Sequence, residues 1–234
     1  MQGIDESTLR KLITRVSNGF LILVMLLLVL DGCATGGKEK ALVAHGTSVG
    51  GEPAKAPEVA RLEDGREGFV ITEFPSMKEA SRRDFDRAVA ILANGDYDEA
   101  IILLEKVTEK SPGVTAPYIN LAIAYGRTGR LELAEENLKA ALELFPGHPV
   151  ANNEYGLLYR RTGRFAEAKA MYEKAIEGFP DYYPARRNLG ILCDLYLSDL
   201  SCALEHYKIY SEARPEDEQV KLWVADLRTR LGGD

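Results

Sequence analysis

The sequence predicts an all-α fold of stacked helix pairs, and three observations predict it. Gly95, Gly129 and Gly163 recur every 34 residues. Ala100, Ala134 and Ala168 keep the same 34-residue spacing, as do Pro112, Pro146 and Pro180. A fourth copy follows with Ala203 and Pro215 offset by 35, one residue longer. Three landmarks in phase at this period mark a repeat of one helix-turn-helix unit, which buries its apolar face only by stacking on its neighbours.

Composition bounds what this array belongs to. The chain has 234 residues, 46% of them apolar and 28% charged, which is ordinary globular usage and argues against a chain disordered throughout. Its 29 Lys+Arg against 36 Asp+Glu give a net charge of −7. A chain of that balance lacks the basic footprint of a nucleic-acid binder, so no nucleic-acid partner is expected. Three cysteines are too few for a disulfide-dense scaffold or a four-Cys zinc site.

Residues 1–32 read as a signal peptide. Arg10, Lys11 and Arg15 precede Phe20 to Leu30, eleven consecutive apolar residues. A stable membrane helix needs about 20, so the run has the length of a signal-peptide hydrophobic region. The segment Leu30-Asp31-Gly32-Cys33-Ala34 resembles the bacterial lipobox, with Asp31 departing from the usual small or apolar residue. That resemblance implies acylation of Cys33 as the mature N-terminus. Two or three acyl chains anchor durably, at about 0.8 kcal/mol per buried methylene. Ala34 in second place, where Asp would retain the protein, implies the periplasmic face of an outer membrane. The alternative is an uncleaved signal anchor with an incidental cysteine.

Residues 33–80 read as a flexible tether, since the first part is rich in Gly, Ala, Pro, Glu and Lys without an apolar period. Residues 68–74 (GFVITEF) differ: they either dock as an extended segment on the following domain or form an apolar patch in the linker.

Residues 81–217 hold four repeats, and each landmark has a physical reason. Ala88, Ala122, Gly156 and Gly190 on the first helix face Ala100, Ala134, Ala168 and Ala203 on the second, and small residues let two helices approach closely. The glycines end the first helix in a conformation that costs a residue with a Cβ more. The prolines stop the second helix. Leu104, Leu138, Tyr172 and Tyr207 fill the space between helices. Runs such as TGRLELAEENLKAALELFP and TGRFAEAKAMYEKAIEGFP resemble the tetratricopeptide repeat, which implies a superhelical solenoid. Residues 218–234 read as a capping helix, with Val220, Trp223, Val224 and Leu227 on its apolar face. In the fourth repeat the expected glycine is missing, and Cys193 and Cys202 lie on either side of the irregular turn. They either form a disulfide, as an oxidising compartment allows, or pack as two buried thiols.

Catalytic chemistry has little to work with. His45, His148 and His206 lack partners at metal-ligand spacing, and no phosphate-binding loop or nucleophile elbow occurs. The expectation is a protein that is not an enzyme and needs no cofactor, metal or small-molecule substrate. Repeats of this kind bind peptides or protein surfaces along the groove lined by the first helices. Candidate groove residues are Phe85, Val89, Ile119, Ile123, Asn153, Leu157, Arg187 and Ile191, a mixed apolar and polar surface. A carboxylate-clamp pattern does not fit, because Phe85, Val150 and Glu154 stand where cations or Asn are needed. A second candidate surface is the edge formed by the turns within repeats 2 and 3, where Arg127, Arg130, Arg160, Arg161 and Arg164 gather. Arginines ending the first helix suit its dipole, but Arg130 and Arg164 open the second helix, where positive charge is disfavoured. Such an edge could bind carboxylates or phosphates. The layout resembles the repeat-containing pilotin lipoproteins of type IV pilus and secretin systems. It implies an envelope scaffold or assembly factor with protein or peptide partners, or alternatively an adaptor subunit of a peptidoglycan or outer-membrane biogenesis complex.

Overall fold

A computed structural model describes residues 57–62, 69–73 and 76–232. The signal peptide and Cys33 lie outside the described residues.

Four helix pairs and a last helix follow one another along the chain. Repeat 1 is α1 (Glu79–Ala93) and α2 (Tyr97–Lys110), and repeat 2 is α3 (Thr115–Arg127) and α4 (Leu131–Leu144). Repeat 3 is α5 (Pro149–Arg161) and α6 (Phe165–Gly178), repeat 4 is α7 (Tyr183–Leu192) and α8 (Leu200–Ala213), and α9 spans Glu218–Arg230. Successive first helices pack directly on one another, α1 on α3, α3 on α5 and α5 on α7, while each second helix packs on its own partner and on the next first helix. The first helices therefore form an inner layer and the second helices an outer one. One buried cluster runs through all four repeats into α9.

The repeated glycines do what their spacing predicts. Gly95, Gly129 and Gly163 sit at φ +90°, +80° and +76°, a region that residues with a Cβ rarely adopt. In repeat 4 the inserted residue is absorbed as a single π-helical turn, Cys193–Leu197, and Ser198 then takes the left-handed conformation at φ 54°. The altered turn brings Cys193 and Cys202 together with Cα atoms 5.9 Å apart, and the structure joins them as a disulfide.

The small residue on each first helix is matched in size to its partner. Tyr172 is fully buried, and a Cβ placed on Gly156 would come within 2.5 Å of its ring. A Cβ on Gly190 would meet the Tyr207 ring at 2.5 Å in the same way. Repeats 1 and 2 hold Ala88 with Leu104 and Ala122 with Leu138 at these positions, all buried. Beyond repeat 4, α9 covers the end of the array with Val220, Val224 and Leu227 buried, and Trp223 packs against Tyr207 with ring centroids 5.2 Å apart.

Part of the expected tether is structured, and Phe69–Thr72 docks as an extended segment, one of the two alternatives for residues 68–74. Within residues 33–80, β1 (Glu58–Arg61) and β2 (Phe69–Thr72) pair antiparallel, Glu58 opposite Thr72 and Arg61 opposite Phe69. This hairpin docks on the connections between repeats. The Phe69 ring lies 4.8 Å from that of Phe179 and 5.6 Å from that of Tyr182, and Arg61 pairs with Asp181. At the other end, Glu73 accepts hydrogen bonds from the Thr115 hydroxyl and from its backbone N–H (3.1 Å). The N-cap residue of α3 is Val114, which has no side-chain acceptor, so a carboxylate 42 residues upstream caps the helix instead. Alternating Phe69 and Ile71 supply a half-buried face to β2, enough to hold a two-stranded ribbon against an existing core.

Candidate functional site

The inner layer is built on α3, α5 and α7. His148 opens α5: its Nδ1 accepts the Ala151 N–H at 3.3 Å, and burial lowers its pKa to about 4, so the ring is neutral and free to cap. Further along α5, Asn153 Oδ1 accepts from Asn188 Nδ2 of α7 at 2.9 Å, which ties two repeats together. Asn153 Nδ2 donates to the Glu154 carboxylate at 3.1 Å. Burial raises the Glu154 pKa, against the pull of that bond and of the Arg127 charge.

Between α3 and α5 this layer opens into a cleft of about 190 Å³. Ile123 and Leu157 form its apolar walls, and Arg127, Glu154, Arg160 and Arg161 surround them. Arg161 donates through Nη1 to the Gly126 carbonyl at 2.9 Å, which anchors it across the repeat boundary. Arg160 is half-buried, and its Nη1 is sealed from solvent without a hydrogen-bond partner. The Tyr172 hydroxyl is likewise buried and unpartnered, and burial holds its phenol far above the usual range.

The five-arginine edge is corrected by these contacts. Arg130 pairs with Asp98 of repeat 1. Arg164 donates to Glu135 of repeat 2 at 3.3 Å and to Glu167 at 3.0 Å, with its guanidinium 4.0 Å from the Tyr159 ring centroid. Both are N-cap residues of second helices, and the carboxylates compensate the dipole that disfavours them there. They clamp adjacent repeats, and Arg127, Arg160 and Arg161 remain at the cleft.

The predicted groove residues divide in the same way. Ile119 and Asn153 are buried, at 4% and 2% exposure, so they belong to the packing between repeats. Phe85 is half-buried against Met77, Val107 and Val114. Arg187 lies over the Trp223 ring at 5.3 Å and 3.8 Å from an Asp217 oxygen, at the junction with α9. Of the expected groove and edge residues, Ile123, Leu157, Arg127, Arg160 and Arg161 come together at the cleft, and Glu154 joins them.

Residues 113–181 match the family model described as tetratricopeptide repeat. That segment is tetratricopeptide-repeat sequence. The matched segment covers repeats 2 and 3, which frame the cleft. No curated protein sequence matches the chain. Among solved structures, it resembles PilF of Pseudomonas aeruginosa with a TM-score of 0.60 and 23% identity, over 65% of this chain and 69% of that one. PilW, described as a widely conserved type IV pilus biogenesis factor, gives a TM-score of 0.59 and 24% identity over 66% and 71%. MamA from Desulfovibrio magneticus RS-1 gives 0.57 and 18% over 67% and 88%. At these identities the likeness is one of fold. Tetratricopeptide-repeat arrays are typically non-catalytic scaffolds for protein interactions.

Proposed function

We propose that this protein is a lipid-anchored assembly factor of the bacterial envelope. In this reading it is held through Cys33 at the periplasmic face of the outer membrane and binds a segment of an envelope protein on its inner helix layer. The observation that carries the reading is the cleft between α3 and α5, where apolar walls stand beside cationic side chains. The lipobox-like segment before Cys33 supports the anchor. The description of PilW as a pilus biogenesis factor supports an envelope assembly role by analogy of fold.

A photo-crosslinking residue in place of Leu157, on the inner layer, is expected to capture an envelope protein in cells. The same residue in place of Ile102, which is 67% exposed on α2 of the outer layer, is expected not to. Ile123→Glu should abolish the inner-layer product. Equal capture from both positions, or none from either, would overturn the reading. Mass spectrometry of the mature N-terminus tests the anchor, which requires an acylated Cys33.

A further inference from the structure

The charges around the cleft do not balance. Arg127, Arg160 and Arg161 surround it, and Glu154 is the acidic member, in a chain whose net charge is −7. Each of these groups has a different local commitment. Arg161 is fixed to the Gly126 carbonyl, and Glu154 accepts from Asn153 and feels the charge of Arg127. Arg160 stands apart. It is half-buried, its Nη1 is sealed without a partner, and the side chain still lines the cleft. A guanidinium keeps its charge at any physiological pH, so burial cannot be relieved by loss of a proton. Among the described residues no carboxylate is bonded to it, so an approaching carboxylate gains by meeting the part of the side chain that lines the cleft.

We propose that the cleft reads an acidic side chain on its partner. The occupant is a segment in which Glu or Asp adjoins an aliphatic residue, the carboxylate on Arg160 and the aliphatic group between Ile123 and Leu157. This rests on the inner-layer reading above and goes beyond it by naming the residue types recognised. A cleft of about 190 Å³ has room for side chains and none for a folded element. The inner layer continues on both sides of the cleft through α1 and α7, so a bound segment runs on through it. The carboxylate is therefore assigned to a side chain and not to a chain terminus. A basic segment is disfavoured because Glu154 is already hydrogen-bonded while the arginines dominate the field.

The test uses the full chain in detergent and an array of C-terminally amidated dodecapeptides of randomised sequence. Retained peptides should be enriched in aliphatic–acidic pairs. Fluorescence anisotropy with the strongest binder should show about a tenfold loss when its acidic residue becomes Gln, and about the same loss for Arg160→Gln. The two changes together should lose little more than either alone, because both remove one contact. Arg160→Gln should fold and melt at the same or higher temperature, since it removes an uncompensated charge. Arg160→Lys, which keeps the charge without the fork, should bind with intermediate affinity and serves if the Gln variant does not fold. Unchanged binding by Arg160→Gln, or enrichment of basic peptides, would each overturn the proposal. If Arg160→Gln leaves the Leu157 crosslink intact in cells, the acidic anchor is wrong and the inner-layer reading stands. If that crosslink never forms, both fall.

Discussion

Repeats 1 and 2 close on alanine against leucine, and repeats 3 and 4 close on glycine against tyrosine. The backbone turns are alike in repeats 1 to 3, each with a left-handed glycine, so the difference lies in how volume is shared across a helix pair. Where the first helix gives up its last methyl group, at Gly156 and Gly190, the second helix brings a ring against its backbone. The pair, and not either residue, is what the fold specifies. The larger pair has a consequence for the inner layer. Tyr172 buries a hydroxyl without a partner near Arg160, so the half of the array that closes on glycine and tyrosine also holds polar groups that packing does not satisfy.

The sharpest way to break this comparison is Gly156→Ala. The new Cβ would sit 2.5 Å from a ring that is fully buried and has nowhere to move. The expected cost is about 3 kcal/mol in urea unfolding, through overpacking. Combining it with Tyr172→Leu rebuilds the pattern of repeats 1 and 2 and should recover most of the loss. A single variant as stable as the parent would show that volume is not shared in this way.

The second prediction concerns the start of repeat 3, where a histidine does the work that Glu73 does for repeat 2. His148 must stay neutral to accept from Ala151, and its folded pKa is lowered to about 4 from an ordinary 6.5. The unfolded chain therefore binds the proton first, and stability falls as pH drops below 6.5 toward 4. At pH 5 this one group should cost about 2 kcal/mol relative to neutral pH. His148→Asn keeps an N-cap acceptor without titrating, and should flatten that part of the stability–pH curve. An unchanged curve would contradict the assignment.

What the sequence showed, and what it hid, follows from the range of the interactions. The 34-residue period exposed the helix pairs because each landmark recurs at a fixed offset, and the apolar face of Val220, Trp223, Val224 and Leu227 exposed the cap. One inserted residue in repeat 4 was visible, and its absorption as a π-helical turn was not, because backbone choice there depends on packing against α8. Docking of residues 68–74 was one of two open readings, and its strand partner at Glu58–Arg61 was hidden because two four-residue strands are marginal alone and depend on Phe179, Tyr182 and Thr115, far along the chain. Arg130 and Arg164 looked like a free surface because their partners lie 32 and 29 residues away, at positions that are not equivalent between repeats. A repeated residue can thus have a different partner in each copy. Periodicity reads the residue and misses the partner.

Those two arginines give the last and smallest test of the comparison. Arg130 meets one carboxylate, Asp98, whose side chain is 78% exposed, and its guanidinium is 5.5 Å from the Tyr125 ring centroid. Arg164 meets two carboxylates, one of them the 26%-exposed Glu135, which also accepts from the Tyr155 hydroxyl at 3.0 Å. It lies closer to its ring, at 4.0 Å from Tyr159. Solvent screens an exposed pair, and a network around a partly buried carboxylate is screened less. Arg164→Ala should therefore lower the melting temperature more than Arg130→Ala, and its effect should persist in high salt while the other fades. The expected structural reason is a loosened contact between repeats 2 and 3, the two repeats that frame the cleft. A double-mutant cycle with Glu135→Ala measures it directly: strong coupling for Arg164 is expected, and additive losses would place Arg164 on the solvated surface with Arg130.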